Sequence, residues 1–413
     1  MLSESEFKRA AALSILLLLI ASPSQCQIEE IPFFAGGLLD PFDGNTLDYP
    51  KSACDSYVAK NETTWKIYTT EFCRTDKVDD LKIMRSEYEP IKGDVTINYK
   101  KSKSIPAHHK VVITTDSLLA ELTDDWRLKV QDLTTEAKLF KVDIEKPANL
   151  SSYELTSTEK YFVLFYQTNS DEKVYEYILP ISKTDGAKLW TEGMLYVEPY
   201  DRSSGKGYNV GAKMIIDYPE PKQSLGQGHK FFMAWEWSVN TGVSIKRKII
   251  GPNLSDTGTE GEVESLSTVN GNQLEGLGIV NGNEFVIYST RESNEKVIKM
   301  WRKNLNSNPR LVKESSIGKN PSLPYYKGAY VITAQQGQKI VLVFSQVTTD
   351  TTNVMYKVFN DDGKSASKSE SPIVISQSDI KFKAVVLEDA TLFMSMGPVD
   401  EVWYLGIINF INE

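Results

Sequence analysis

Apolar and polar residues alternate along most of this chain, in pairs of short runs that are separated by polar turns. The stretch Glu284–Arg302 shows the pattern well. An apolar run, Phe285–Tyr288, leads into a polar turn, Thr290–Glu295, and a second run returns over Val297–Trp301 with a period of two. A period of two is typical of a half-buried β-strand, so the stretch predicts a β-hairpin.

Similar runs recur at intervals of ~50 residues, a period that is typical of repeat architectures. The first runs of the pairs are Val111–Ile113, Tyr161–Tyr166, Phe231–Trp237, Phe285–Tyr288, Ile340–Phe344 and Leu392–Met394. The returning runs are Val174–Leu179, Val243–Ile250, Val297–Trp301, Val354–Phe359 and Val402–Ile408. Small sheets that are apolar on both faces bury them by stacking around an axis, so the pattern predicts an all-β, six- or seven-bladed β-propeller. Tandem β-sandwich domains are the alternative.

Two local features bear on this architecture. The segment Ser117–Val130 is the best candidate for a helix, and a short helix is one of two interpretations of it. Closure of a ring requires an N-terminal strand, near Ile31–Phe34, to pair with the last blade, Lys381–Phe410.

Two phrases support a propeller by resemblance. Gln338–Ser345 (QKIVLVFS) and Val354–Gly363 (VMYKVFNDDG) resemble the strands of secreted β-propeller repeats, in which G-x-F-V-V-x-W-x-S turns into V-x-x-x-x-F-x-x-x-G. The resemblance covers residues 110–413. It implies the fold and an extracellular or surface setting, and it supplies no catalytic residues.

The N-terminus predicts export. Lys8 and Arg9 precede an apolar run, Ala10–Ala21, whose length suits a signal peptide better than a spanning helix. We therefore expect cleavage after residue 26, with an uncleaved anchor as the alternative, and no integral membrane segment after cleavage. The predicted organisation is a signal peptide (1–26), an N-terminal segment that is clipped by a disulfide and could form a first blade (27–105), and propeller repeats (106–413).

Cysteines and glycosylation sequons agree with a secreted or cell-surface protein. Cys26 leaves with the signal peptide, so Cys54 and Cys73 remain and predict one disulfide; two free thiols are the alternative. Asn61, Asn149 and Asn253 each begin an N-x-Ser/Thr triplet and are candidate N-glycosylation sites.

Charge and histidine content exclude several functions. The chain has 413 residues and a formal net charge of −9, and it lacks a dense block of lysine and arginine, so we expect no nucleic-acid partner. The histidines are His108, His109 and His229. On a strand the adjacent pair would point to opposite faces, which disfavours a shared metal ion, and the preferred interpretation is that these histidines are loop residues. No catalytic motif is present, and we predict no metal, no cofactor and no catalytic residues.

Two aromatic and acidic clusters are the candidate ligand-binding residues. The first is Trp235-Glu236-Trp237, and the second comprises Tyr196, Glu198, Tyr200 and Asp201. Sugars stack on aromatic rings while carboxylates accept their hydroxyl hydrogen bonds. Alternation places both Trp side chains opposite Glu236, so packing between blades is the preferred interpretation and sugar binding is the alternative.

The sequence therefore predicts a non-enzymatic binding module that recognises a glycan or a protein partner through its loops. The alternative is a carbohydrate-active hydrolase with carboxylates in an axial pocket, drawn from Glu198, Asp201 and Glu236.

Overall fold

Every regular element that the computed structural model describes is a β-strand. The described residues are 27–31, 55–61, 64–74, 79–89, 94–96, 104–106, 108–114, 116–201, 207–219, 228–251, 264–269, 271–292, 295–304, 315–319, 329–334, 339–347, 352–360, 373–375, 382–386, 391–399 and 402–409. Side chains are described within residues 105–303, with gaps, and at Ile340, Phe359 and Asn360.

The strands follow one another in chain order. The first are β1 (Gln27–Ile31), β2 (Asp55–Asn61), β3 (Thr64–Arg74), β4 (Asp79–Glu89), β5 (Asp94–Thr96) and β6 (Ser104–Pro106). Next come β7 (Lys110–Ile113), β8 (Leu118–Leu122), β9 (Arg127–Asp132), β10 (Lys138–Asp143), β11 (Leu150–Ser157), β12 (Tyr161–Ser170), β13 (Lys173–Ser182) and β14 (Met194–Leu195). They continue with β15 (Tyr208–Asp217), β16 (Phe231–Val239), β17 (Gly242–Ile250), β18 (Glu264–Val269), β19 (Gln273–Val280), β20 (Asn283–Glu292), β21 (Glu295–Asn304) and β22 (Ser315–Lys319). The last are β23 (Ala329–Ala334), β24 (Lys339–Val347), β25 (Thr352–Asn360), β26 (Ile373–Ile375), β27 (Phe382–Val386), β28 (Thr391–Val399) and β29 (Val402–Asn409).

These strands form antiparallel sheets of strands that are consecutive in the chain. Sheet 1 contains β2–β6, sheet 2 β7–β10, sheet 3 β11–β14, sheet 4 β15–β18, sheet 5 β19–β22 and sheet 6 β23–β26. Sheet 7 contains β27–β29, with β1 added at its outer edge. An all-β chain of small meander sheets is what the alternation predicted.

The hairpins that the sequence predicted lie at the centres of the sheets. In β20 and β21, Phe285 is opposite Arg302, and Ile287 is opposite Met300. The strands that contain the runs Tyr161–Tyr166 and Val174–Leu179 pair in the same manner, as β12 and β13, with Leu164 opposite Leu179. The central strands pair on both edges and pack on both faces, so their apolar residues are nearly continuous.

The helix interpretation of Ser117–Val130 is wrong, because this segment is the hairpin β8–β9. Leu119, Ala120 and Leu122 are buried, so both faces of β8 are covered and the period of two is lost from its sequence. The turn is tight, and Trp126 adopts a φ of 58° within it. A nearly continuous buried run cannot be distinguished from a buried helix by periodicity alone.

Sheet 3 is covered on both faces, and this arrangement positions the candidate sites. Val163, Phe165 and Ile178 point toward sheet 4, where they pack in a cluster with Trp235 and Trp237. The alternate residues of the same strands point toward sheet 2. That cluster includes Phe162, Leu164, Leu179, Trp126 and Leu128. The apolar core of the described residues therefore consists of layers between neighbouring sheets.

The ends of the chain meet in sheet 7. Strand β1 pairs with β29, with Gln27 opposite Ile407 and Ile31 opposite Trp403. Strand β2 of sheet 1 contacts β27 and β28. Only Ile31 of the predicted run 31–34 belongs to β1, and the other residues of that run lie outside the described residues.

Several predictions remain untested by these elements. The signal peptide (1–26), Cys54 and Asn253 lie outside the described residues, and the side chains of Cys73 and Asn61 do as well. Asn149 is exposed, with a φ of 56°. The disulfide, the glycosylation sites and the division at residues 105/106 stay predictions. Among the described residues, no helix has the length and apolar character needed to cross a membrane.

Candidate functional site

Tyr196 and Tyr200 converge on a buried carboxylate that the sequence analysis missed. Glu176 lies in β13 and is 3% exposed. Tyr200 donates its hydroxyl hydrogen bond to Glu176 Oε1 at 2.6 Å, and Tyr196 donates to Glu176 Oε2. Asn209 Nδ2 donates to the same Oε2 at 2.9 Å. Because these donors come from different segments of sheets 3 and 4, the carboxylate joins the two sheets.

The surroundings of Glu176 keep the tyrosine hydroxyl in its neutral form. Burial, followed by the charge of Glu176, raises the pKa of Tyr196 well above its ordinary value. A neutral hydroxyl can donate to the carboxylate, whereas a phenolate could not. Buried polar groups are stable when they are hydrogen-bonded, so this network fits a structural role between the sheets.

Trp235 and Trp237 pack against the same network. Tyr196 and Trp235 have ring centroids 5.6 Å apart at 79°, and Tyr200 and Trp237 are 4.7 Å apart at 72°. The two indole side chains are 0% and 5% exposed. We call the layer that contains Glu176, Tyr196, Tyr200, Trp235 and Trp237 the filled interface. The burial of the four rings favours the packing interpretation over sugar stacking.

Glu236 points to the opposite side of β16, as alternation predicted. Its Oε1 accepts a hydrogen bond from the backbone N–H of Leu274 at 2.7 Å, which links sheet 4 to sheet 5. Its Oε2 accepts one from the N–H of Ala212 at 3.3 Å. A Cβ on Gly211 would overlap the Glu236 carboxylate, so the strand approaches it closely. These contacts give Glu236 a structural function.

Glu198 and Asp201 lie at the margin of this region. Glu198 is exposed and Asp201 is half-buried. Burial lowers the pKa of Lys248, and the nearby charge of Glu198 opposes that shift. A ligand-binding role for Glu198 and Asp201 stays a prediction.

A cleft lies between sheets 2 and 3, on the other side of sheet 3. Its volume is about 390 Å³. The residues that line it are Trp126, Ile144, Glu145, Lys146, Pro147, Ala148, Tyr166, Thr168, Tyr177, Leu179, Lys188, Thr191, Glu192 and Gly193. We call it the open cleft. Its volume is in the range of small-molecule sites.

Aromatic rings form one wall of the open cleft. Tyr166 of β12 is opposite Tyr177 of β13, and their rings stack with centroids 4.9 Å apart at 15°. Trp126, in the β8–β9 turn, meets Tyr166 edge-on at 6.0 Å. Both tyrosines are half-buried, so part of each side chain faces the solvent. Stacked and edge-on rings hold one another in place and form a rigid surface.

The loop between β13 and β14 closes over Tyr166. A Cβ on Gly193 would overlap the Tyr166 hydroxyl, so glycine permits this approach. Burial and the neighbouring Tyr177 raise the pKa of Tyr166 to about 12, although the hydrogen bond from the backbone of Gly193 opposes the shift. The hydroxyl is therefore a neutral hydrogen-bonding group at physiological pH.

Charged residues of both signs surround the mouth of the open cleft. Glu145 and Lys146 come from the β10–β11 loop, and Lys188 and Glu192 come from the β13–β14 loop. All four are exposed. They supply donors and acceptors around an aromatic wall. Nothing in the sequence sets these charges apart from the many other exposed charges in the loops.

The adjacent histidines occupy a turn rather than a strand. His108 and His109 precede β7, and the N–H of His109 bonds to the carbonyl of Pro106 at 3.0 Å. Their rings lie 4.8 Å apart, edge to face. Both approach Asp124, which lies in the β8–β9 turn. This position agrees with the interpretation of these histidines as loop residues, and the rule that adjacent side chains point to opposite faces applies only to a strand.

The sheets and their order define an all-β chain that is consistent with the β-propeller class. No protein-family model matches the chain, and no curated protein matches it.

Solved structures that the chain resembles are β-propeller proteins. One is an ulvan lyase from a new family of polysaccharide lyases, bound to GlcA(1-4)Rha3S, with a TM-score of 0.50, 9% identity and coverage of 85% of this chain and 91% of that one. Another is the β-propeller domain of Cps50 (Swd1) from Myceliophteria thermophila. Its TM-score is 0.41 and its sequence identity is 12%, and the match covers 87% of this chain and 98% of that one. A third is the WD40 domain of SCAP from fission yeast. Its TM-score is 0.38 and its sequence identity is 12%, and the match covers 94% of this chain and 88% of that one. At these identities the similarity concerns the fold alone.

Proposed function

We propose that this protein is a secreted β-propeller that binds a glycan in the open cleft, without catalysis. The observation that carries the proposal is the stacked Tyr166–Tyr177 pair in the wall of a cleft of about 390 Å³. Rigid aromatic surfaces with a few polar groups around them are typical of ligand pockets. The apolar face of a pyranose ring can stack on the tyrosine rings, while its hydroxyl groups hydrogen-bond to the polar side chains around them.

Seven sheets form a closed ring in this proposal. The sheets follow one another along the chain, and the N-terminal strand β1 supplies the outer strand of sheet 7. The contacts of β2 with β27 and β28 support closure, because they join sheet 1 to sheet 7. A closed ring leaves only short, protected strand edges, which stabilises a secreted protein against association through its edges.

The charge at the mouth of the cleft favours a neutral saccharide. Lys146 and Lys188 balance Glu145 and Glu192, so the cleft provides donors and acceptors without a net charge. An anionic chain would require an excess of cationic groups there. The chain as a whole carries a net charge of −9, which also disfavours polyanions.

Hydrolysis is the less favoured function. Of the three candidate carboxylates of the hydrolase alternative, Glu236 accepts hydrogen bonds from the backbone N–H groups of Leu274 and Ala212. A carboxylate that holds two strands together is poorly placed to transfer protons to a substrate. Binding without turnover therefore agrees better with the described side chains.

The test is a glycan-array screen of the full secreted chain, followed by calorimetry with the best neutral oligosaccharide. Tyr177→Ala removes half of the stacked pair, and we expect the affinity to fall by about 10-fold or more. Tyr175→Ala is the matched control, because Tyr175 lies two residues away on the same face of β13 and does not line the cleft. Equal affinities of the wild type and Tyr177→Ala would contradict the proposal, and so would release of reducing ends from the bound glycan.

A further inference from the structure

A second site is formed where the turn before β7 meets the β8–β9 turn. Strand β7 pairs antiparallel with β8, with Lys110 opposite Leu122, so the start of β7 lies beside the end of β8. This register places His108 and His109 next to Asp124. The Nε2 atom of His108 is 2.7 Å from Asp124 Oδ2, and the Nε2 atom of His109 is 3.9 Å from the same oxygen.

We propose that His108, His109 and Asp124 form a binding site for a divalent transition-metal ion of the Zn²⁺ type. Among the side chains that the structure describes, these three are the group whose ligand atoms all lie within 4.8 Å of one another. Ligands at about 2.0–2.1 Å around a tetrahedral ion are roughly 3.4 Å apart. The two distances to Asp124 Oδ2 lie on either side of that value, so side-chain rotations bring the three atoms to one ion.

A buried carboxylate orients His109 for this role. Glu121 Oε1 lies 2.8 Å from His109 Nδ1, and Glu121 is 4% exposed. A carboxylate only accepts hydrogen bonds, so the hydrogen bond to Glu121 places a hydrogen on Nδ1, and Nε2 is the nitrogen that would ligate an ion. In zinc sites, the nitrogen of a ligating histidine that does not bind the ion usually donates a hydrogen bond to a carboxylate.

The orientation also aims His109 Nε2 at Asp124. Its distance of 3.9 Å from Asp124 Oδ2 is too long for a hydrogen bond and leaves room for an ion between the two atoms. The donor set of two imidazoles and one carboxylate matches zinc and similar ions better than Ca²⁺ or Mg²⁺, which prefer oxygen ligands. Three protein ligands leave a fourth position for water.

The competing interpretation is a surface ion pair. His108 and Asp124 have side chains that are 60% and 59% exposed, and exposed pairs of this kind contribute little to stability. Other charges near the turn are Asp125, which pairs with Arg127, and Lys110, which lies over the Tyr153 ring. An ion pair explains the His108–Asp124 contact, but it gives no reason for the buried Glu121 to orient His109 toward Asp124.

The experiment uses the full chain after removal of any histidine tag and treatment with a chelator. Calorimetry with Zn²⁺, and absorption spectroscopy with Co²⁺ as the probe, measure affinity and geometry. We expect one ion per chain and a tetrahedral Co²⁺ spectrum. His108→Ala and Asp124→Asn should each weaken Zn²⁺ binding by about 100-fold, and Glu121→Gln by about 10-fold.

Folding is monitored separately, by thermal unfolding of each metal-free variant. His108→Ala and Asp124→Asn change exposed side chains and leave the His109–Glu121 contact in place, so they should fold normally. Asp125→Asn is the matched control on the same turn, and it should change the affinity by less than about 2-fold. Zn²⁺ binding that is equally strong in wild type and His108→Ala, or equally impaired by Asp125→Asn and Asp124→Asn, would overturn the proposal.

Discussion

Glu176 and Tyr177 are neighbours in β13, yet their side chains enter different spaces between sheets. Glu176 points into the filled interface with sheet 4, where two tyrosines and an asparagine surround its carboxylate. Tyr177 points into the open cleft with sheet 2, where its ring stacks on Tyr166 and part of it stays exposed. Both spaces are rich in aromatic residues, and one is packed while the other has room for a ligand.

The difference comes from the side chains that enter each space. Trp235 and Trp237 enter the filled interface from the central strand of sheet 4, and they bring large rings to it. On the other side, Trp126 stands in a turn, and the loops at residues 144–148 and 188–193 border the space without filling it. Aromatic and acidic residues in a sequence therefore mark a space between sheets without showing whether that space is open.

The largest effect is expected from Trp235→Ala. The indole is completely buried in the filled interface, so its removal should lower the free energy of unfolding by about 3–5 kcal/mol. Urea denaturation measures the change. Tyr208→Ala, at a site that is 40% exposed, is the control and should cost much less. A loss below about 1 kcal/mol for Trp235→Ala would mean that this interface is not packed as described.

Glu176→Ala should follow, with a loss of about 2–3 kcal/mol. The substitution leaves the hydroxyls of Tyr196 and Tyr200 and the amide of Asn209 without their buried acceptor. Glu154→Ala changes an exposed glutamate on the neighbouring strand β11, and it should alter stability by less than about 0.5 kcal/mol. Similar losses for the two variants would contradict a structural role for Glu176.

Gly193→Ala should act on the open cleft with a smaller loss, about 1 kcal/mol, because the new Cβ displaces the Tyr166 hydroxyl. The same substitution in a Tyr166→Phe background should cost less, since the overlapping hydroxyl is absent. A double-mutant cycle measures this coupling. Strict additivity of the two substitutions would show that the loop does not rest on Tyr166.

A further prediction concerns alkaline pH, and its effect is absent at physiological pH. The pKa of Tyr166 is raised to about 12 from 10.0, so the folded state disfavours the phenolate. The contribution of the Tyr166 hydroxyl to the free energy of unfolding is fully present below pH 10 and is lost as the pH rises from about 10 to 12. Tyr166→Phe should flatten that part of the stability profile in denaturation experiments across this range. An unchanged profile would contradict the burial of this hydroxyl.

The hairpins could be predicted because most of the apolar runs are followed by a returning run after a polar turn. Alternation also predicted correctly that Trp235 and Trp237 point to one face of β16 and Glu236 to the other, since strand residues point to alternate faces. The rule does not apply to His108 and His109, because they lie in a turn, which brings adjacent side chains together. It failed for β8, because both faces of this strand are buried and its sequence shows no period of two.

Glu176 and the open cleft could not be found from local pattern. Glu176 lies inside the run Val174–Leu179, and two of its donors follow 20 and 33 residues later. The cleft gathers residues from the β8–β9 turn, two central strands and two loops. Only the packing of neighbouring sheets brings such distant segments together, and a pattern with a period of two carries no information about it.

Hydrogen-exchange mass spectrometry with and without a bound oligosaccharide compares the two interfaces most directly. We predict that the glycan protects the segments that border the open cleft, residues 144–148 and 188–193, and leaves residues 235–237 unchanged. Protection that falls on residues 235–237 and spares both loops would contradict the account, because it would place the ligand in the interface described here as filled.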